Sequence, residues 1–241
     1  MSLYLRCALF EVVRACATVV FSLIALATFA FSPFTRYRII TGWNRVVMFA
    51  ARWLLHIEWR VWGRENLPQR PAVVLAKHQS AWETIALPIL LPPLAIVIKR
   101  ELLRIPFFGW GFAMLSPIAI DRGSGKEALR QITEQGKKRL TQGFWVLIFP
   151  EGTRVAPGSR GRYGIGGAWL ATQANAPVVP IAHNAGELWP RRAFLKHPGT
   201  VTISIGPVIE AEGLEPAELN ARVEAWIEAE MQKLPPARRK P

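Results

Sequence analysis

The chain has 241 residues, which suits one α/β domain with a full core and a short appendage rather than two complete domains. A formal charge of +13 comes with ten tryptophans and a positive mean hydropathy, so basic surface coexists with much apolar surface, a mixture suited to membrane lipid. No zinc finger, RNA-binding aromatic motif or Gly-x-x-Gly clamp argues for nucleic acid, and Cys7 and Cys16 give neither a disulfide framework nor metal-ligand spacing.

Residues 15–35 carry no charge, and Ala15 through Phe31 is predominantly apolar on every face, as a helix in lipid has to be. About 20 such residues cross a bilayer. Arg6 and Arg14 precede the run and Ala25-Leu26-Ala27 is a small-residue site, so a secretory signal peptide is the competing reading. The run exceeds the roughly 7 to 15 residues usual in the core of such a peptide, and a retained anchor is expected. A second apolar stretch, residues 46–55, is interrupted by Arg52 and flanked by Arg36, Arg38 and Arg45. It reads either as a helix at the membrane interface or as an amphipathic helix packed on the domain. The arginines after the first segment put the main body on the cytoplasmic side of the cell inner membrane. The expected division is a membrane-associated helical segment over 1–56 and the main domain over 57–241.

From residue 57 to 206, β-rich runs alternate with helical ones. That predicts an α/β fold, a largely parallel mixed sheet flanked by helices behind an N-terminal helical membrane anchor. Strands are expected at 58–62, 72–76, 94–98, 117–120, 144–149, 177–182 and 200–205. A helix is expected over 126–140, with Ser124 as N-cap and Gly143 past its end. Another is expected over 216–234, with Leu219, Val223, Trp226, Ile227 and Met231 on one face, before a solvated basic tail at 235–241.

Two of the strand runs end in polar clusters. The run 72–76 leads into Lys77-His78-Gln79-Ser80-Ala81-Trp82-Glu83-Thr84, and the run 145–148 into Phe149-Pro150-Glu151-Gly152-Thr153-Arg154. Ligands in open α/β sheets bind beyond the carboxyl ends of strands, so both clusters should face one crevice. On a continuous helix His78 and Glu83 would point about 140° apart, so a base and its orienting acid require His78 in the loop and Glu83 in the first helical turn. Ser80 would be the N-cap. The same residues also fit a capping box, in which Glu83 only reaches back to the backbone of Ser80. Taken singly, Asp121-Arg122 reads as a surface ion pair and Glu151-Gly152-Thr153 as a plain turn. His56, His183 and His197 lack the paired spacing of a metal site.

In order and spacing, His78-x4-Glu83, Ile120-Asp121-Arg122, Phe149 through Arg154 and Val179-Pro180-Ile181-Ala182 resemble the four motif blocks of the glycerolipid acyltransferase family. Within it they are most similar to the branch acting on 1-acylglycerol-3-phosphate (lysophosphatidic acid). The resemblance covers roughly residues 60–210 and includes Lys99 to Gly109, between the first two blocks. The first block departs from the usual Asn-His-x4-Asp by having Lys77 and Glu83.

The resemblance implies transfer of a fatty acyl group from acyl-coenzyme A or acyl-carrier protein to the sn-2 hydroxyl of lysophosphatidic acid, at a phospholipid membrane, with no cofactor and no metal. His78 would be the base and Glu83 its orienting acid. Arg122 and Arg154 would bind the acceptor's phosphate, with Gly152 allowing close approach, Thr153 adding a donor, and Glu151 positioning Arg154 or touching the acceptor. Lys77 and Lys99 are further cations for phosphate or carrier, and Phe107, Phe108, Trp110 and Phe112 either line an acyl tunnel or pack the core. The Glu83 variant leaves open another lysolipid acceptor, such as a lyso-ornithine lipid. A non-catalytic protein holding anionic lipid is the rival from another class.

Overall fold

The computed structural model describes residues 1–238; Arg239, Lys240, Pro241 and the side chain of Arg122 lie outside the described residues. Seven strands among the described residues form one sheet: β1 (Ile57–Trp62), β2 (Val73–Ala76), β3 (Leu94–Lys99), β4 (Ile118–Ile120), β5 (Trp145–Ile148), β6 (Val178–His183) and β7 (Gly199–Ile205). Their order is β1-β7-β6-β2-β5-β3-β4, parallel from β6 through β4, with β7 antiparallel to β6 and β1 parallel to β7. The central strands β2 and β5 are buried at every residue, as strands covered on both faces must be.

Among the described residues, eight α-helices flank the sheet: α1 (Leu3–Ala27), α2 (Pro33–Ile40), α3 (Gly42–Leu55), α4 (Trp82–Leu90), α5 (Phe108–Ala113), α6 (Lys126–Thr141), α7 (Gly166–Ala174) and α8 (Pro216–Met231). One core, with Val74, Leu147 and Ile181 on the sheet, takes in Cys7 and Phe10 of α1 and Val47 and Leu55 of α3. The other face carries Ile132, Leu170, Leu219, Val223 and Ile227 from α6, α7 and α8. There α7 lies so close to β2 that a Cβ at Gly167 would stand 2.3 Å from Leu75 Cδ2.

The first helix packs along α3 and α5, burying Cys7, Phe10, Ala17, Ser22 and Ala25, while Val12, Val20, Leu23 and Ile24 face outward. Lys196 pins it to the body: the buried ammonium lies 2.6 Å from Glu11 Oε1 and over the rings of Phe10 and Trp189. Of the two readings of residues 46–55, the structure shows the packed amphipathic helix: α3 buries Val47, Met48 and Ala51 on the body and exposes Arg45, Phe49, Arg52 and Trp53 on the other side.

Two local expectations are corrected. Ser124 does not cap α6: Asp121 accepts from Gly123 N–H in a short helical turn, Arg122–Ser124, the Ser124 hydroxyl donates to the Asp121 carbonyl, and Gly125 takes the cap position. The tail is docked through Arg238, because Ala237 N–H donates to Glu187 at 2.8 Å, its carbonyl accepts from Thr200 N–H, and Arg238 donates to the Glu187 carbonyl.

Candidate active site

The strand order puts β2 between β5 and β6, so the loops after these three strands meet at one edge of the sheet. His78 follows β2, Phe149 to Arg154 follow β5, and His183 ends β6. β4, which leads into Asp121, is separated from β5 by β3, so the second block lies further along the same edge.

His78 is held in the loop and Glu83 stands in the first turn of α4, where the helix dipole favours a carboxylate. His78 Nδ1 lies 2.9 Å from Glu83 Oε1, and the same oxygen accepts the N–H groups of Gln79 at 2.9 Å and Ser80 at 2.7 Å. The reach back to the Ser80 amide and the contact with His78 are therefore both made, by one atom. Ser80 supports the turn a residue earlier than an N-cap would, its hydroxyl accepting from Trp82 N–H at 3.0 Å. Burial alone would raise the Glu83 carboxyl, but the rings of His183 and His78 and the Ser80 amide hold it below the usual carboxylate range. A carboxylate at Nδ1 makes that nitrogen the donor and leaves Nε2 with the lone pair of a base.

The backbone around His78 is fixed on every side. Its N–H donates to Glu151 Oε2 at 3.0 Å, its carbonyl accepts from Val155 N–H at 2.8 Å, and its ring stacks on Phe149 with centroids 4.1 Å apart. His183, fully buried, locks the preceding residue: Nδ1 accepts from Ala185 N–H, so Nε2 carries the proton and donates to the Lys77 carbonyl at 2.8 Å.

His78 and Arg154 stand at one end of an apolar cavity of about 220 Å³. It runs between α4 and β3 toward α1, past Ile96, Ile98, Phe112 and Leu115 to Phe21 and Trp43. Of the four aromatic residues in question, Phe108 and Phe112 line it and Phe107 and Trp110 point outward. Burial lowers the pKa of the Arg154 guanidinium, Glu83 opposes this and Arg191 adds to it. As a partly desolvated cation beside His78 it is suited to an anion. Gly152 takes a positive φ of 65° in the turn, and Thr153 is exposed.

One expected cation and one acid stand elsewhere than the reading put them. Glu151 turns away from Arg154, its side chain 0% exposed and its oxygens taken by Lys77, Gly161 N–H and His78 N–H. Lys77 is buried beneath the loop with Glu151 instead of facing a phosphate, while Lys99 remains exposed at the end of β3.

The acyltransferase family matches this chain over residues 58–184, the span from β1 to the end of β6 that holds the His78–Glu83 pair. The chain belongs to the acyltransferase family. This acyltransferase is 45% identical over 237 residues to a 1-acyl-sn-glycerol-3-phosphate acyltransferase of Pseudomonas aeruginosa, across 96% of this chain and 92% of the relative. It is 32% identical over 182 residues to 1-acyl-sn-glycerol-3-phosphate acyltransferase alpha of Mus musculus, across 73% of this chain and 64% of that protein. Its fold is also that of the 1-acyl-sn-glycerophosphate (LPA) acyltransferase of Thermotoga maritima, with a TM-score of 0.79 at 23% identity, over 98% and 97% of the two chains.

Sequence reasoning set His183 aside, although its place at the end of a strand was the signal that could have kept it in the site. Glu228 gave no such signal, because it meets Lys77 from 151 positions away on α8.

Proposed function

We propose that this acyltransferase moves a fatty acyl group from an acyl thioester, of coenzyme A or acyl-carrier protein, to the sn-2 hydroxyl of lysophosphatidic acid, giving phosphatidic acid. The observation that carries the reading is the His78–Glu83 pair at 2.9 Å, with Arg154 beside it, at the end of an apolar cavity. His78 Nε2 takes the hydroxyl proton as that oxygen attacks the thioester carbonyl carbon. Glu83 holds the ring and stabilises the imidazolium. The C–S bond then breaks, and His78 returns the proton to the departing sulfur. Attack by the acceptor itself needs no acyl-enzyme, and Ser80, its hydroxyl engaged by Trp82 N–H, is not required as a nucleophile.

Arg154 and Arg122, with Gly152 and Thr153, bind the acceptor's phosphate in this reading, and Glu151 supports the loop from behind. The cavity takes an acyl chain, entering from the side of α1 to α3. The outward faces of α1 and α3, rich in Val, Leu, Phe and Trp with arginines at their edge, rest in the inner membrane from the cytoplasmic side. By length and composition α1 could cross a bilayer. Because it lies against α3 and α5 along its length, we read it as embedded in one leaflet beside the domain. Offering lysophosphatidic acid, lyso-ornithine lipid and lysophosphatidylcholine in competition tests the acceptor. Preference for lysophosphatidic acid that disappears in Arg154→Ala supports the assignment, and preference for an acceptor without a phosphomonoester contradicts it.

A further inference from the structure

Beneath His78 lies a charge cluster that the reaction as written does not use. Lys77 is 1% exposed, and its Nζ stands 2.8 Å from Glu151 Oε1 and 2.8 Å from Glu228 Oε1, with the Ser159 carbonyl oxygen at 3.3 Å. Glu151 is the residue whose other oxygen takes the His78 N–H, at 3.0 Å. Glu228 comes from α8 and also accepts the Tyr163 hydroxyl at 2.8 Å. One ammonium thus stands between two carboxylates, and one of those carboxylates holds the backbone of the base.

Stability alone does not account for the cluster. Taking ions out of water is costly, and apolar side chains of similar volume often serve a core as well or better. What such an arrangement does supply is a fixed geometry and a fixed local charge next to an imidazole.

We propose that Lys77 and Glu228 are positioning residues for His78, acting through Glu151, so that the C-terminal helix is part of the catalytic apparatus. The inference rests on the reading of His78 as the base. Lys77 holds Glu151 in place, so that its two oxygens accept the N–H groups of His78 and Gly161 together. Glu228 fixes the ammonium from the opposite side, and Tyr163 fixes Glu228. The charged and titratable groups around His78 are Lys77 on its own loop, Glu83 of α4, Glu151 and Arg154 after β5, His183 of β6, Tyr163 before α7, and Glu228 of α8. Within the cluster the two acids outnumber the one cation. Removing Lys77 leaves both acids uncompensated and favours the protonated imidazole, so the base becomes available only at higher pH. Removing the charge of Glu228 has the opposite sign.

The test measures acceptor-dependent thiol release against pH for wild type, His78→Ala, Lys77→Met, Glu228→Gln and the Lys77→Met/Glu228→Gln double variant. Lys77→Met should lower kcat at neutral pH at least about tenfold, leave KM within about threefold, and move the acid limb of the profile to higher pH. Glu228→Gln should move that limb to lower pH, and the double variant should return it toward wild type. A limb unmoved in Lys77→Met, or a double variant that does not return it, overturns the proposal. Should Lys77→Met fail to fold, Glu228→Gln decides, since its side chain is 19% exposed and the substitution is isosteric. A limb unmoved there likewise overturns the proposal. An inactive His78→Ala with unshifted limbs defeats this inference alone, whereas an active His78→Ala defeats the reading beneath it.

Discussion

At the scale of single residues, one atom carries most of the order in the site. Glu83 Oε1 accepts from the ring of His78 and from two backbone amides, so it fixes the loop and the imidazole tautomer together. Glu83→Gln keeps an acceptor but loses the charge that supports an imidazolium, and kcat should fall by about 10²- to 10⁴-fold with little change in KM. Steady-state kinetics on the folded variant checks this, and a kcat within a few-fold of wild type would remove Glu83 from the mechanism. His183 gives a prediction for stability. Burial holds its imidazole below the ordinary histidine value, with Glu83 opposing, so the unfolded chain protonates first as the pH falls. The stabilisation is therefore present above about pH 6.5 and is lost as pH falls from there toward the folded value. Melting temperature should drop over that window in the wild type and drop less in His183→Gln; parallel slopes would count against a neutral buried His183.

At the scale of elements, the link between α2 and α4 shows how proline shapes the site. Pro92 has no N–H to give the Pro88 carbonyl at the end of α4, and the buried Tyr37 hydroxyl of α2 donates to it at 2.8 Å. Tyr37→Phe should cost about 1 to 3 kcal/mol in chemical denaturation, the penalty of a buried carbonyl left unpaired. An unchanged midpoint would show that water takes the hydroxyl's place. The strands were legible because β2, β3, β5 and β6 are short apolar runs bounded by Gly, Pro or charged residues, a pattern set by burial on both faces. The meeting of His78 with Glu83 was legible because five positions of sequence separate them. Lys77 misled the reading, since a lysine beside a catalytic histidine resembles a phosphate ligand until its buried partners are seen. Those partners, Glu151 and Glu228, lie 74 and 151 positions away, and nothing local in α8 distinguishes Glu228 from a solvated helix acid. The cap of α6 was misplaced because the turn at 122–124 consumes Ser124 before the helix begins.

At the scale of the whole molecule, the proposed site and the proposed membrane-facing surface share one body. The helices α1 and α3 bury one face in the core that also supports β2, and they present Phe49, Trp53 and the apolar outer side of α1 to the surroundings. Phe49→Ser/Trp53→Ser should weaken sedimentation with anionic liposomes, and added salt should weaken it further as the arginine–phosphate attraction is screened. Binding unchanged by the substitutions would place the lipid contact elsewhere. The central claim is that His78, oriented by Glu83 at the end of the cavity, is the base of acyl transfer to a lysolipid hydroxyl. Its most direct test is the formation of phosphatidic acid, followed by mass spectrometry, from a palmitoyl thioester and lysophosphatidic acid, with wild type and folded His78→Ala compared. The account predicts phosphatidic acid and one equivalent of free thiol from the wild type and neither from the variant; phosphatidic acid formed at the wild-type rate by His78→Ala would contradict it.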